Sequence, residues 1–272
     1  MQTDISVNLT NDILFKYVFS HKEIVTDLLT SFFDYIGTSK KIKSIQVFKD
    51  YPIYGKNLED KVFFGDIVAI LDTGEIVSIE MYNNKFGKEE YMKSASYLSR
   101  LFGNQLKKGN TYKHTKKVYS INFIFGNYAN ENREVVNDYG FIRKVSNPNL
   151  NNGFINLYLI RLDKVKKIVY NVNEKKLIRW GKFMISENMK EMKKIGKDDE
   201  AMEQSIAYVQ EFLKENGTTW QDKLNYEKNK SHDEGREENQ IETARNMLKD
   251  NMDIKEISKY TGLSQIEIEA LK

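Results

Sequence analysis

The chain has 272 residues, 40% hydrophobic and 30% charged, with 15 Phe, 16 Tyr and 9 Met, which is material for a full catalytic domain and an accessory segment and excludes a disordered chain. Cysteine is absent and only His21, His114 and His232 represent histidine, so disulfides, thiolate chemistry and cysteine zinc sites are excluded, and a bound ion must take oxygen ligands, as magnesium or manganese does. A net charge of +3 is too small to argue by itself for nucleic acid, and local clusters matter more.

No apolar run is long enough for a bilayer, and "MQTDISVNLTND" has neither the basic start nor the apolar core of a signal peptide. The expectation is a cytoplasmic protein without membrane contact. From residue 8, "NLTNDILFKYVFSHKEIVTDLLTSFFDYI" reads as two helices. Thr10 or Asn11 caps the first, and a Ser20–Glu23 capping box opens the second. Residues 41–84 change period: "IKSIQVF", "KVFFGDIVAIL" and "EIVSIEMY" are strand-like. A helical pattern returns over 86–106, followed by strand candidates at 117–128 and 153–164. Alternating strands and helices predict an α/β domain with a mixed sheet over 1–172. A helical extension follows over 173–225, then a charged linker or exposed helix over 226–240, "YEKNKSHDEGREENQ". Residues 241–272 have the outline of a helix-turn-helix, with Gly262 in the turn and Ser264 capping the second helix. That second helix, "SQIEIEALK", is acidic. Its charge disfavours DNA reading and favours packing or self-association, one route to a homo-oligomer.

The stretch "GDIVAILDTGEIVSIEMYNN", residues 65–84, poses the central question. If Asp72, Thr73 and Gly74 form a three-residue loop, Leu71 pairs with Glu75 and Asp66 lies opposite Glu80. A two-residue Thr73–Gly74 turn would turn Glu80 to the other face. In the first register Phe64, Asp66, Val68 and Ile70 share a face with Ile76, Ser78, Glu80 and Tyr82, and Phe63 belongs to the other. Two facing carboxylates in a core repel and lose solvation, unless a divalent cation binds them, with the Met81 carbonyl as a further ligand. The alternative is an edge hairpin whose acids point into water.

These residues resemble the D…(D/E)-x-K core of the PD-(D/E)XK nucleases, and more specifically the Rpn-type recombination-promoting nucleases or transposases. "NDILFKYVFS" is similar to that family's opening helix through Asn11, Asp12, Phe15, Lys16 and Phe19. "SYLSRLFGNQLKKGNTY" resembles a later helix through Asn104, Gln105, Leu106, Gly109 and Tyr112, and "RNMLKDNMDIKEISKYTGLSQIEIEAL" resembles the C-terminal signature. The resemblance implies a restriction-endonuclease-like mixed sheet flanked by helices and a DNA endonuclease tied to recombination. It implies Mg2+, with Mn2+ as substitute, held by Asp66, Glu80 and Met81. Asp12 is then a further acidic ligand or a charge on the helix dipole. Gln105 is either an approach to the scissile phosphate or a plain helix residue. Lys107, Lys108, Lys113, Lys116 and Lys117 are either phosphate contacts or a solvated lysine-rich surface. Tyr82 departs from the pattern, since lysine or glutamine stands there in the family. A tyrosine can position water but supplies no cation, and Lys85 or Lys61 is a candidate to reach in. The implied alternative is a nuclease fold with weakened or lost cleavage, acting as a DNA-binding or oligomeric interaction protein.

Overall fold

The carboxamide oxygen of Asn11 accepts the N–H groups of Ile13 (3.0 Å) and Leu14 (3.4 Å). It thereby caps helix α1 (Asp12–Val18) and satisfies donors that have no partner inside the helix. The next helix, α2 (Lys22–Tyr35), does not open on the expected Ser20–Glu23 box; its N-cap is His21, without a side-chain bond. The Ser20 hydroxyl donates back to the Tyr17 carbonyl at 2.7 Å, and Glu23 accepts the Tyr208 hydroxyl.

The computed structural model describes residues 7–38, 40–53, 62–83, 86–106, 109, 111–126, 134–140, 153–169, 174–250 and 252–269. Among them are the strands β1 (Ile45–Ile53), β2 (Phe63–Leu71), β3 (Ile76–Tyr82), β4 (Val118–Ile124), β5 (Val136–Gly140) and β6 (Ile155–Arg161). They form one sheet in the order β1-β2-β3-β4-β6-β5. The pairs β1/β2, β2/β3 and β5/β6 are antiparallel, and β3/β4 and β4/β6 are parallel. The mixed sheet expected from the sequence is therefore present. Helix α3 (Lys88–Gly103) makes the crossover that two parallel strands require.

Both faces of the sheet are covered. On one, Tyr97, Leu98 and Leu101 of α3 pack with Ile53, Val118, Ile124, Leu157 and Leu159. On the other, the helices bring Phe32 against Tyr158 (ring centroids 4.9 Å apart) and Phe33 against Tyr119 (5.3 Å). Every residue of β4 is buried, which accounts for its apolar "VYSINFI" reading as a strand without alternation.

Beyond a 3-10 turn at Tyr112–His114, the remaining helices are α4 (Leu162–Val165), α5 (Lys176–Met184), α6 (Met189–Gly196), α7 (Glu200–Lys249), α8 (Ile254–Thr261) and α9 (Gln265–Glu269). Two compact units divide the chain at Met1–Phe212 and Leu213–Lys272. The helical stretch after 172 thus begins inside the first unit. Trp180 of α5 is fully buried, stands 5.8 Å from Phe19, and donates its indole N–H to Asp27 of α2 at 2.8 Å. Residues 226–240 lie within α7. In the second unit Gly262, at φ +77°, ends α8 in the left-handed conformation, and Ala244, Ile257 and Ile268 are buried together. Among the described residues no helix is long and apolar enough to cross a membrane.

The β2–β3 turn has the three-residue form. Leu71 N–H donates to the Glu75 carbonyl at 2.9 Å and Gly74 N–H to the Leu71 carbonyl at 2.8 Å, with Gly74 at φ +83°. The paired residues run from Ile70↔Ile76 to Ile67↔Ile79, and continuing that count sets Asp66 opposite Glu80. There the pairing stops. Strand β2 stays with β1 as far as Ile53↔Phe63, and β3 stays with β4 as far as Tyr82↔Ile124, so the sheet forks at the two acids. The strict alternation expected for β2 fails beyond this point. Phe63, expected on the opposite face, packs in the cluster under α3, and Phe64 is 56% exposed. The irregularity lies within β2 itself, where a Cβ on Gly65 would fall on the same face as Val68, 2.9 Å from its methyl; in β1, Asp50 at φ +48° stands between the pairs Lys49↔Ile67 and Tyr51↔Gly65.

Candidate functional site

At the fork, side chains take over the bonding of the ladder. Asp66 Oδ2 accepts the Met81 N–H at 3.1 Å, and the main-chain N–H of Asp66 favours the charged form of Glu80. Ser78 donates its hydroxyl to Glu80 Oε1 at 2.6 Å. In an extended strand the N–H and C=O of one residue face the same neighbour. With its N–H on Asp66, Met81 therefore turns its carbonyl toward the fork as well. A Cβ built on Gly65 would stand 2.9 Å from a Val68 methyl and in ordinary contact with Glu80 Oε1 at 3.4 Å, so it is Val68 that requires the bare glycine here.

The electrostatics follow from crowding acids into a dry place. Glu80 is 2% exposed. Burial, then the charge of Asp66, pushes its carboxyl up to about 8, against the pull of the Ser78 hydroxyl, Lys93 and the Asp66 N–H. Burial also raises Asp66, offset in part by Lys16 and the Met81 N–H. Lys16 of α1 is bonded to three carboxylates, Asp12 at 2.9 Å, Asp50 at 3.0 Å and Asp66 at 3.2 Å. Burial works against its charge, but the acids outweigh burial and hold the ammonium well above its ordinary value.

Tyr82 faces inward. Its hydroxyl lies 3.1 Å from Ser94 Oγ on α3, and Ser94 donates to Asn122 Oδ1 at 3.0 Å. Because Ser94 has one hydrogen and gives it to Asn122, Tyr82 is the donor to Ser94. Asn122 in turn donates to the Tyr158 carbonyl at 3.2 Å and to Ser120 Oγ at 3.0 Å. Burial, then the charge of Glu80, raises the Tyr82 phenol above its normal range. The Lys93 ammonium stands over two rings, 5.7 Å from the centre of Tyr82 and 5.4 Å from that of Tyr97. Tyr97 donates its hydroxyl to the Phe64 carbonyl at 2.8 Å.

The structure therefore brings Asp66, Glu80 and Met81 together and sets Tyr82 beside them. Asp12 reaches Asp66 only through Lys16, and its side chain is 59% exposed. Gln105 is not brought to the acids. Its amide donates to the Lys116 carbonyl at 3.1 Å and accepts the Lys116 N–H at 2.8 Å, and the Lys116 side chain lies beside Gly74 of the hairpin turn. Ile76 pairs with Val118 and Glu80 with Asn122, so this end of the sheet is ~13 Å from Glu80 at the usual rise per strand residue. Lys113 and Lys116 are exposed there and Lys117 half-buried. Lys107 and Lys108, like Lys61 and Lys85, lie outside the described residues. Sequence reasoning missed the roles of Lys16, Lys93, Ser94 and Asn122. Only Lys16 left a signal, one helical turn after Asp12. Among the described residues no cluster of three or more His, Asp and Glu side chains gathers for a metal ion.

The family model of the PD-(D/E)XK nuclease family transposase matches residues 9–254. No curated protein and no solved structure matches the chain.

Proposed function

Because the chain belongs to the PD-(D/E)XK nuclease family transposases, we propose that it is a divalent-metal-dependent endonuclease. Its substrate on this reading is DNA, cut by hydrolysis of phosphodiester bonds in the cytoplasm during recombination of mobile elements. One observation carries the reading: Asp66 and Glu80 oppose each other where β2 and β3 part, with Glu80 buried and its carboxyl pushed up by the charge of Asp66. A carboxyl pair that cannot hold both charges unaided fits a hard divalent cation, which takes the place of the proton. Asp66, Glu80 and the Met81 carbonyl would hold it. When bound, magnesium, or manganese in its place, supplies the Lewis acidity that polarises a phosphate oxygen and acidifies water.

The chain's own residues have separate tasks. Lys16 offsets in part the burial that raises Asp66 and fixes one of its oxygens, while the Met81 N–H fixes the other. Ser78 orients Glu80, and the Asp66 N–H favours its charge. Water is the attacking group on this reading, so no side-chain nucleophile is required. Asp12, behind Lys16, tunes the charge of that lysine rather than meeting the substrate.

A plasmid-nicking assay with magnesium, manganese or EDTA tests this, comparing the wild type with Asp66→Ala and Asp66→Asn. Cleavage is expected with either metal and not with EDTA, and each variant should lose about a hundredfold or more. Activity persisting in both variants sinks the assigned site. The second reading is a fold that binds DNA or a second copy of itself without cutting. It is favoured by Tyr82, which supplies no cation and whose hydroxyl is engaged with Ser94; a wild type that binds DNA but nicks none would establish it.

A further inference from the structure

Hydrolysis of a phosphodiester gathers negative charge on the phosphorus oxygens, and this site already holds two carboxylates. A cation with a free donor is needed at the substrate side of Glu80. Among the described residues, two ammonium groups come near the acids. Lys16 has three N–H donors and three carboxylates bonded to it, Asp12, Asp50 and Asp66, so it has none to turn toward a substrate. Lys93 is different. It is exposed, none of the ion pairs among the described residues involves it, and its charge acts on Glu80.

The two rings beneath it explain how it is held. Tyr97 follows Lys93 by one helical turn on α3, so the two side chains share a face. Tyr82 comes from β3, two residues after Glu80, and its ring tilt is set by the bond to Ser94, the residue next to Lys93. An ammonium over both rings is attracted by their π faces, with its N–H donors open to solvent. The ring at position 82 thus serves as a platform that aims a cation from the neighbouring helix.

We propose that Lys93 is a catalytic residue, held on the faces of Tyr82 and Tyr97 beside Glu80, whose ammonium donates to a non-bridging oxygen of the scissile phosphate. This rests on the nuclease reading above. The test uses the full chain with supercoiled plasmid and magnesium, and compares wild type, Lys93→Met and Lys93→Arg. Calorimetric titration of each protein with magnesium gives a second readout. Lys93→Met should cut about a hundredfold more slowly and bind magnesium within about twofold of the wild type, and Lys93→Arg should recover about tenfold or more of the loss. A wild type that cuts, beside a Lys93→Met that cuts within about threefold of it, overturns this proposal alone. Loss of magnesium binding along with cleavage in Lys93→Met also overturns it, since that marks a structural role. A wild type that cuts nothing overturns the nuclease reading together with this one.

Discussion

Glu80→Gln removes a charge that the fork cannot solvate, and its effect on stability can be worked out with its sign. In the folded protein the Glu80 carboxyl keeps its proton to about 8, against an ordinary value of 4.5 in the unfolded chain. Between those values the folded state binds more protons than the unfolded state, so its stability falls as pH rises through the window. At about 1.4 kcal/mol per pH unit the loss has a ceiling of about 4 kcal/mol near pH 8 and stays under about 1 kcal/mol near pH 5. Glutamine keeps the shape without the charge. Its carbonyl can accept the Asp66 N–H, and the Ser78 hydroxyl can rotate to accept from its amide. Urea unfolding in EDTA, followed by circular dichroism at both pH values, should therefore show Glu80→Gln gaining a few kcal/mol over wild type near pH 8 and little near pH 5. Comparing variant with wild type cancels the other titrating groups. Saturating magnesium near pH 8 should raise the wild type and leave the variant unchanged, because a cation and a proton satisfy the same pair. A Glu80→Gln protein that tracks the wild type at both pH values, or is weaker at both, refutes the reasoning.

Lys16→Met should destabilise the first unit by about 3 kcal/mol in a denaturant titration, because it strands Asp66, whose side chain is only 17% exposed. Adding Asp66→Asn to that variant should return about half of the loss, whereas Asp12 and Asp50, at least half exposed, rehydrate at little cost. Gly65→Ala should cost about 1–3 kcal/mol by the same measurement, since its Cβ would stand 2.9 Å from a methyl of buried Val68.

Much of the frame was legible in the sequence where local rules decide. Gly74 narrowed the turn to two forms, and the three-residue form found in the structure decides which acids face each other. Asn11 is a strong cap, and the helical period of α3 stands out between two apolar strands. Strand β5 was missed because "VNDYG" has too few apolar residues to alternate. The Ser20 box failed because a hydroxyl has a choice of partners, and the preceding turn offered a carbonyl closer at hand. The flip of Phe63 and Phe64 comes at Gly65, where the backbone of β2 leaves strict alternation, and an alternating pattern carries no sign of such a turn. The cations of the site escaped because they act through the fold: Lys16 showed only its spacing from Asp12, not its bond to Asp66, and lysine is too common in this chain for spacing to single out Lys93. Gln105 illustrates the converse. Its position in a motif suggested the site, yet its amide is matched to both main-chain groups of Lys116.

The fork gives the two acids a second employment. Asp66 accepts a main-chain N–H that a carbonyl would hold in an ordinary ladder, and Glu80 takes the Ser78 hydroxyl beside it, so charge and strand pairing are inherited together. A lineage that stopped cutting would still be selected to keep an acceptor at both positions, or would have to mend its sheet there. Aspartate and glutamate can thus outlast the chemistry they serve. Drift away from cleavage would be recorded first in residues with no place in the ladder, such as the exposed lysine on the helix beside them.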